Sequence, residues 1–258
     1  MTRVALTGAG GNVGRELLDA FGDGHAVVPF THSEHEDLDS ELLDVTDPDA
    51  VADALDGFDV VVHLAGASSP ETDWDTVVDV NFHGTKHVLD AAVENGVERV
   101  VFASSNHAVG MYNTADPAEP EQMVLENART VGADASPRPD TYYGVSKAAC
   151  EALTNFYADR HGLEVVNLRI GWYLDEDDLR EHTGEAVERV EDRFARAMWL
   201  SPHDCRDVHR KAALADLSES PVTLNAVSRN DERTYTLTET MRVLGYTPRD
   251  NAAETLAE

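Results

Sequence analysis

A glycine-rich turn near the start of the chain limits the folds that this sequence can adopt. Gly8, Gly11 and Gly14 are spaced three apart, between the apolar run 4–7 and the predicted helix 15–21. In a strand–turn–helix unit, such glycines allow a tight turn, a close approach of backbone to a diphosphate and close packing of the helix on the strand. Unpaired amide groups at the start of that helix favour an anion. The spacing therefore predicts a dinucleotide site.

Strand and helix patterns alternate along the chain as far as residue 171. Predicted strands cover 4–7, 26–30, 41–44, 60–64, 99–103 and 164–170, and predicted helices cover 15–21, 47–55, 74–95 and 142–160. This alternation is typical of an α/β fold with a Rossmann-type, doubly wound parallel sheet and right-handed crossovers. Residues 113–141 are rich in Pro, Asp and Glu, and we expect a long loop there.

Periodicity weakens in the last third of the chain. We expect residues 1–171 to form the dinucleotide-binding domain and residues 172–258 to form a small C-terminal substrate-binding lobe. Within that lobe, the pattern indicates a short strand at 222–227 and a helix at 237–244. The boundary is soft, because later strands are able to join the main sheet.

The charge of the chain is strongly acidic. There are 49 Asp and Glu residues against 20 Lys and Arg, which gives a formal net charge of −29, and the only lysines are Lys86, Lys147 and Lys211. Such a surface repels itself at low ionic strength, whereas molar salt shortens the Debye length to about 3 Å. The composition favours a salt-rich cytoplasm. An acidic surface for a basic partner is a weaker reading, because the acids are spread along the whole chain.

Several classes of protein are disfavoured by the sequence. Nucleic-acid binding needs a basic face, which this composition lacks. Two cysteines, Cys150 and Cys205, cannot form a disulfide framework, and no Cys or His cluster has metal-binding spacing, so we expect no metal. No signal peptide is evident and no apolar run approaches the roughly 20 residues needed to span a bilayer. We expect a cytoplasmic protein that does not bind membranes.

The end of the second predicted strand bears on which dinucleotide binds. An acidic residue at that position would hold the ribose of NAD, but the strand ends at 30–33 without one, and Glu34 follows late. Arg15, just after the third glycine, could meet a 2′-phosphate, although a solvated helix position is equally plausible. We therefore predict NADP or NAD as cofactor, with NADP slightly favoured.

Tyr143 and Lys147 are four residues apart at the start of a predicted helix, so they share a face. A phenol with a pKa near 10 is a poor base at neutral pH, and a neighbouring ammonium lowers that pKa. The pair predicts a general base whose lysine neighbour can also bind the nicotinamide ribose. A tyrosine and a lysine four residues apart are common by chance. This pair is informative because it lies in the helix that follows the fifth predicted strand.

Further motifs accompany this pair. They are Thr7-Gly8-x-x-Gly11-x-x-Gly14, Asp44-Val45, His63-Leu64-Ala65-Gly66, Asn81-x-x-Gly84-Thr85, Ser104-Ser105, Tyr143-Gly144-x-x-Lys147 and Arg169-Ile170-Gly171. Over residues 4–171 the sequence resembles the extended short-chain dehydrogenase/reductase family, also called the NAD-dependent epimerase/dehydratase family. The resemblance implies an NAD(P)-dependent oxidoreductase with Tyr143, Lys147 and Ser105 as catalytic residues.

The resemblance also implies which residues contact the cofactor. They are Gly8, Gly11, Asn12, Val13, Gly14, Arg15, Asp44, Val45, Leu64, Ala65, Gly66, Asn81, Tyr143, Lys147 and Ile170. By the same resemblance, Asp44 and Val45 would hold the adenine, and Asn81 would be a structural and proton-relay residue. Ile170 would lie near the nicotinamide.

A narrower resemblance concerns the substrate. Segments 102–110 and 138–147 resemble uronate dehydrogenases and related haloarchaeal sugar dehydrogenases, and segments 197–205 and 244–251 extend the match. Such enzymes oxidise the anomeric carbon of a cyclic sugar to a lactone. Epimerases of the wider family usually carry a tyrosine–glycine pair where this chain has Val109-Gly110, which argues against an epimerase or dehydratase.

The narrower resemblance implies a sugar site and a reaction. The site would comprise Ser68, Ser105, Asn106, His107, Tyr143, Trp172 and Phe194. Tyr143 would remove the proton of the anomeric hydroxyl, Ser105 would donate to the reacting oxygen, and hydride would pass to the nicotinamide. For His107 and Ser68, ordinary structural roles are the alternative reading.

The residues around Phe194 bear on the choice of sugar. Uronate dehydrogenases hold the substrate carboxylate with an arginine at this position, and Trp172 stands where they have a small or polar residue. A buried anion without a cation is costly, so we predict a neutral aldose such as L-arabinose or D-galactose. Arg193 and Arg196 flank Phe194 and could restore a clamp, so oxidation of a uronate or of glucose 6-phosphate is the alternative.

Two further expectations concern assembly and activity. Members of the family often form dimers through helices around 82–95 and 144–160, so we expect a homo-oligomer, either a dimer or a tetramer. A non-catalytic dinucleotide sensor is a different class of function on this fold. Such sensors commonly lose the tyrosine and lysine, and their retention here argues against that class.

Overall fold

The alternating pattern builds one parallel sheet covered by helices on both faces, in a computed structural model that describes residues 1–257. The sheet contains β1 (Arg3–Thr7), β2 (Ala26–Thr31), β3 (Glu41–Leu42), β4 (Val60–His63), β5 (Arg99–Ser105), β8 (Glu164–Ile170) and β11 (Val222–Ala226). Two short pairs lie outside it, β6 (Thr114–Asp116) with β7 (Glu119–Met123), and β9 (Trp172–Tyr173) with β10 (Trp199–Leu200). The strand order β11-β8-β5-β4-β1-β2-β3 and the parallel pairing confirm the doubly wound Rossmann-type fold.

The helices extend over most of the remaining chain. They are α1 (Asn12–Leu17), α2 (Pro48–Ala54), α3 (Trp74–Thr76), α4 (Gly84–Glu94), α5 (Tyr142–His161), α6 (Glu176–Glu181), α7 (Arg189–Met198), α8 (Pro202–Leu214), α9 (Thr238–Leu244) and α10 (Ala252–Thr255). A π-helix, Val77–His83, joins α3 to α4, and 3₁₀ turns cover Asn106–Ala108 and Gly110–Tyr112. In the described part of the chain, no helix is both long and apolar enough to cross a bilayer.

Two apolar layers cover the two faces of the sheet. Because side chains alternate along a strand, Ala5 of β1 packs on one face with α2, α4 and α5, whereas Val4 and Leu6 pack on the other with α1 and α8. Burial on both faces explains why the central strands are continuous apolar runs. The layers leave the carboxyl ends of β1, β4, β5 and β8 side by side at one edge.

Strand β11 lies in the main sheet beside β8, with Val222 opposite Val166. The predicted strand and helix near the C-terminus are present, and one apolar layer combines residues from both sides of position 171. The chain beyond residue 171 therefore shares its core with the chain before it. The division into residues 1–171 and 172–258 remains a prediction about which segment serves cofactor and which serves substrate.

The segment 113–141 is not a loop throughout, which corrects the sequence-based expectation. Its β6–β7 hairpin contains two prolines and several charged residues, so its local preference for strand is weak. Met123 at the end of β7 is buried, and β7 packs against α7. Contacts between segments that are distant in sequence therefore stabilise the hairpin, and Glu121 of β7 lies on the wall of a cavity.

Candidate active site

The glycine turn has the backbone geometry that the spacing predicts. Gly8 adopts φ +74°, and a Cβ there would lie 2.6 Å from the backbone nitrogen of Ala65. A Cβ on Gly14 would collide with the carbonyl oxygen of Gly8, so α1 packs directly against the turn. Gly11 is the N-cap of α1 and supplies no side chain to the free amide groups of the first turn. Those groups are available for an anion at the switch point between β1 and β4.

A cleft of about 640 Å³ opens above this turn. It is lined by Thr7, Gly8, Gly10, Gly11, Phe30, Thr31, His32, Ser33, His35, Leu43, Asp44, Val45, Thr46, Leu64, Ala65, Gly66, Ala67, Ser68, Asp79 and Val80. The glycines at its floor and the free amides of α1 fit a dinucleotide diphosphate. The cleft therefore brings together the predicted residues Gly8, Gly11, Asp44, Val45, Leu64, Ala65 and Gly66.

Asp44 and Val45 border the cleft at its outer end. The Asp44 carboxylate accepts hydrogen bonds from the Thr46 hydroxyl at 2.7 Å and the Thr46 backbone nitrogen at 2.9 Å, and these bonds lower its pKa. Val45 is buried, and its carbonyl oxygen lies 2.9 Å from Nδ1 of His87. Both residues are thus held in place on the lining of the cleft.

Other predicted cofactor residues do not line this cleft. They are Asn12, Val13, Gly14, Arg15, Asn81, Tyr143, Lys147 and Ile170. Asn12 is exposed and Val13 packs against the core, whereas Ile170 ends β8 directly opposite Ser105.

Arg15 binds a carboxylate at the rim. Its guanidinium donates to both oxygens of Asp37, at 2.7 and 3.1 Å, and its Nε donates to the Gly10 carbonyl at 3.1 Å. The hydrogen bond with Asp37 raises the pKa of Arg15 and lowers that of Asp37. A 2′-phosphate would have to compete with this carboxylate for the arginine. The sequence contained no signal for Asp37, because it lies six positions beyond the end of β2.

Asn81 lies in the π-helix and ties three segments together. Its Nδ2 donates to the Ser146 hydroxyl at 2.9 Å and to the Ala67 carbonyl at 3.1 Å, and its Oδ1 accepts from the Ala67 nitrogen at 2.7 Å. Its own carbonyl accepts a hydrogen bond from Thr85. Single π-helical turns often occur at functional sites. Here the turn aims Asn81 at the segment after β4 and at helix α5.

A second cavity, of about 120 Å³, adjoins the cleft and shares Ser68 with it. It is lined by Ser68, Pro70, Ser105, Asn106, His107, Glu121, Tyr143, Gly171, Trp172 and Phe194. All seven residues that were predicted to bind the sugar therefore lie on one cavity. Pro70, Glu121 and Gly171 were missed, and Glu121 comes from the segment that was expected to be a loop.

The electrostatics of the tyrosine–lysine pair differ from the sequence-based expectation. Burial raises the pKa of Tyr143 to about 12, and the Ser105 hydroxyl opposes this rise. Burial also lowers the pKa of Lys147 to about 8. The Lys147 ammonium lies 5.0 Å from the Phe102 ring centre and 5.6 Å from the Tyr143 ring centre. In this arrangement desolvation outweighs any lowering of the Tyr143 pKa by the ammonium.

His107 is positioned by a buried carboxylate. Its Nδ1 lies 3.0 Å from Oδ2 of Asp140, whose side chain is fully buried. The imidazole ring then stands edge-on to the Tyr143 ring, with 5.8 Å between centres. Asp140 immediately precedes the cap of α5, Thr141, whose hydroxyl accepts from the Gly144 nitrogen. The start of the helix therefore positions both Tyr143 and the residue that orients His107.

An aromatic wall forms the side of the cavity that Trp172 and Phe194 share. Their ring centres are 5.7 Å apart, and Trp172 also lies 4.5 Å from the ring of His182. The two arginines beside Phe194 bind elsewhere: Arg193 donates to the Leu125 carbonyl, and Arg196 pairs with Asp192 at 2.8 Å. No lysine or arginine lines the cavity among residues 1–257.

A buried ion pair lies directly behind the cavity. Glu151 on α5 accepts from Nε and Nη2 of Arg169 on β8, each at 2.8 Å, and from the Ser104 hydroxyl at 2.6 Å. Ser104 and Arg169 precede Ser105 and Ile170, so the network fixes the helix that carries Tyr143 to the strand ends. Glu151 follows Lys147 by one helical turn, and this spacing is the feature of the sequence that could have indicated it.

Comparison with known proteins agrees with this geometry. The profile of the NAD dependent epimerase/dehydratase family matches residues 4–198. The chain is 53% identical over 253 residues to an L-arabinose 1-dehydrogenase (NAD(P)(+)) of Haloferax volcanii, covering 98% of each chain. It is 40% identical to an NAD-dependent glucose-6-phosphate dehydrogenase of the same organism, over 97% of this chain and 94% of that protein.

Solved structures give the same picture of the fold. Uronate dehydrogenase from Agrobacterium tumefaciens superposes with a TM-score of 0.79 at 27% identity, covering all of this chain and 88% of that one. Glucuronic acid dehydrogenase from Chromohalobacter salexigens gives a TM-score of 0.80 at 26% identity, over 99% and 87%. The glycine turn, the cleft and the family match together show that this chain belongs to the NAD dependent epimerase/dehydratase family.

Proposed function

We propose that this protein is an NAD(P)-dependent sugar 1-dehydrogenase that oxidises the anomeric carbon of a neutral aldose, such as L-arabinose or D-galactose, to its lactone. The proposal rests on the lining of the small cavity. Tyr143 and Ser105 line it together with the aromatic rings of Trp172 and Phe194, and within residues 1–257 no lysine or arginine lines it. The 53% identity to an L-arabinose 1-dehydrogenase over nearly the full chain supports the same substrate class.

The cofactor would bind in the larger cleft. Free amides of α1 and the turn at Gly8 and Gly11 would hold the diphosphate, and Asp44 and Val45 would border the adenine. Lys147, whose Nζ would lie 3.6 Å from a Cβ on Gly66, would reach the nicotinamide end. When bound, the nicotinamide supplies the hydride acceptor. Residues 1–171 would thus serve the cofactor, and residues 172–258 would complete the sugar site.

The chain's own residues would manage the proton. The Tyr143 phenolate would accept the proton of the anomeric hydroxyl, while Ser105 donates to the same oxygen. As that O–H bond breaks, the C1–H bond gives up its electron pair as hydride and a C1=O double bond forms, which yields the lactone. Because burial raises the pKa of Tyr143, this step requires the Lys147 ammonium to approach the phenolate oxygen.

Ser68, Asn106 and His107 would bind hydroxyls on the sugar ring. Asp140 holds His107 Nδ1, so Nε2 is left to meet a hydroxyl. Trp172 and Phe194 would pack against the apolar face of the sugar. These contacts orient the anomeric carbon toward Tyr143.

A panel of aldoses with NAD and with NADP in molar salt tests the proposal, with the absorbance of reduced nicotinamide as readout. We expect turnover of L-arabinose or D-galactose, and loss of at least about 100-fold in Tyr143→Phe. The similarity to a glucose-6-phosphate dehydrogenase favours a phosphorylated sugar as second candidate. A higher kcat/KM for glucose 6-phosphate or glucuronate than for every neutral aldose would replace our choice.

We further propose that NADP is accepted alongside NAD. We also propose that the acidic, lysine-poor composition is an adaptation to a salt-rich cytoplasm.

A homo-oligomer is supported by exposed apolar side chains on the two helices that such enzymes use. Tyr142 and Phe156 on α5 are 59% and 55% exposed, and Val145 and Val93 are also exposed. Exposed apolar patches of this kind mark interfaces.

A further inference from the structure

Glu121 is a carboxylate on the wall of the catalytic cavity that neither the glycine turn nor the tyrosine–lysine pair explains. It lies in β7 and lines the same cavity as Ser105 and Tyr143. Among the described residues, no side chain donates a hydrogen bond to it or pairs with it. Glu121 is exposed, so its carboxylate is in contact with solvent, and it lines the cavity as an acceptor that a ligand can reach.

The position of Glu121 is fixed by the packing of its hairpin. β7 pairs with β6 and packs against α7, and Met123 two residues further is buried in the core. Phe194 of α7 lines the cavity from the same side of the molecule. The hairpin and α7 therefore form one wall, which places Glu121 and the aromatic ring of Phe194 against the same ligand.

The charges around the entrance have a single sign. A wider vestibule of about 1000 Å³ shares Glu121 and Trp172 with the cavity, so the two are continuous. Its acidic residues are Glu71, Glu119, Glu121, Asp140, Glu181, Glu188 and Glu191, and within residues 1–257 no lysine or arginine lines it. The only described group of three metal-type ligands that converges is elsewhere, at His203, Asp204 and Asp250. Apart from Asp140, which is paired with His107, these carboxylates have no lysine or arginine beside them at the entrance, and they do not converge as a cation site would.

We propose that Glu121 determines substrate specificity, by accepting hydrogen bonds from hydroxyls of a neutral sugar and by repelling sugars that carry a carboxylate or phosphate. An ionised carboxylate only accepts hydrogen bonds, and sugar hydroxyls are matching donors. A like charge brought into the same small cavity is unfavourable, so one residue supplies both the attraction and the rejection. This inference rests on the proposed function. It assigns the substrate selectivity of the dehydrogenase to the β6–β7 hairpin.

The test compares Glu121→Gln with Glu119→Gln, which removes one charge from the outer vestibule on the same strand. The substrates are L-arabinose, D-galactose and D-galacturonate, the last two of which differ only at C6. We expect Glu121→Gln to lower kcat/KM for the best neutral aldose about tenfold, mainly through KM, because a hydrogen bond to a charged acceptor is lost. The ratio of neutral to acidic substrate should fall at least about tenfold, whereas Glu119→Gln should change it less than about threefold.

Equilibrium binding gives a second readout. In the Tyr143→Phe background with NAD present, calorimetry should show weaker binding of the neutral aldose when Glu121→Gln is added. If the parent oxidises neutral aldoses and Glu121→Gln matches Glu119→Gln in every ratio, the inference is overturned and the proposed function stands. If the parent oxidises no neutral aldose, the proposed function fails and the inference fails with it.

Discussion

At the scale of single residues, the site buries polar groups that are more stable in water. Lys147 is buried with no carboxylate within ion-pairing distance among residues 1–257, and Tyr143 is buried beside it. At neutral pH the buried ammonium of Lys147 therefore lowers the stability of the folded protein, whereas the Tyr143 phenol is neutral in both states and does not. Such costs are typical of active sites, where groups are positioned for a reaction rather than for the folded state.

Replacing Lys147 by Met should stabilise the protein while it abolishes turnover. The folded pKa of about 8 lies below the ordinary value of 10.5, so the unfolded chain binds more protons between those values. The cost of the buried ammonium is thus full below pH 8 and decreases as the pH rises toward 10.5. We expect Lys147→Met to gain roughly 2–3 kcal/mol at pH 7 in denaturant unfolding, and less near pH 10. Lys211→Met, which removes an ammonium bound to Asp207, should not stabilise. An equal gain at both pH values would contradict this prediction.

Replacing Asp37 by Asn should shift the cofactor preference toward NADP. The substitution removes the carboxylate that holds the Arg15 guanidinium and also removes a charge that would repel a 2′-phosphate. We expect the ratio of kcat/KM for NADP over NAD to rise about fivefold, measured with a saturating aldose. Glu36→Gln removes the same charge one residue earlier without touching Arg15, and should leave the ratio unchanged. An unaltered ratio in Asp37→Asn would mean that Arg15 does not meet the phosphate.

At the scale of elements, α5 connects catalysis, core and surface. Its first turn carries Tyr143, its middle holds Glu151 against β5 and β8, and its outer face is apolar. One helix therefore fixes the base relative to the sheet and also offers a surface for a second copy. These two roles make separate predictions.

Glu151→Gln should be strongly destabilising. The substitution leaves the buried Arg169 guanidinium without its counter-charge, and breaking one partner of a buried pair costs about 3–5 kcal/mol. Glu176→Gln is the matched control, because its pair with Arg180 is exposed and 3.7 Å long, and it should change the unfolding free energy by less than about 0.5 kcal/mol. Chemical denaturation in molar salt measures both. Equal effects would show that the buried pair does not anchor α5.

Phe156→Glu should dissociate the oligomer. The exposed ring lies on the apolar outer face of α5, and a charge buried there without a partner is unfavourable. Light scattering should show a mass near 28.1 kDa for this variant and a multiple of it for the parent. Met241→Glu, at a similarly exposed residue on α9, should leave the mass of the parent unchanged. A parent mass of a single chain would refute the predicted assembly.

At the scale of the whole molecule, charge determines the conditions for folding. A formal net charge of −29 on 258 residues repels itself, and salt screens that repulsion. We expect the thermal midpoint to rise steadily with KCl from about 0.1 M to molar concentrations, with loss of activity in dilute buffer. Circular dichroism and turnover at each salt concentration measure this. A midpoint independent of salt would contradict the prediction.

The sequence alone was sufficient for most strands of the sheet and for much of the site. Strands β1, β2, β4 and β5 each contain an apolar run, because both faces of a doubly wound sheet are buried, whereas Asn167 and Arg169 interrupt the apolar residues of β8. Gly14 is required by a backbone contact within one strand–turn–helix unit, and Gly8 by its positive φ in the same turn, although the close approach of Ala65 to Gly8 comes from the segment after β4. The family resemblance implied that Ser105 and Tyr143 share a site, and both residues line one cavity.

Only the tertiary structure decided the partners of these residues. Asp37 holds Arg15, Leu125 engages Arg193, and burial rather than Lys147 determines the pKa of Tyr143. Glu121 enters the cavity because β7 packs on α7, although its segment has a weak preference for strand. β11 joins β8 from more than 50 residues away along the chain. Each of these features depends on contacts between segments that are distant in sequence. Local periodicity does not predict such contacts.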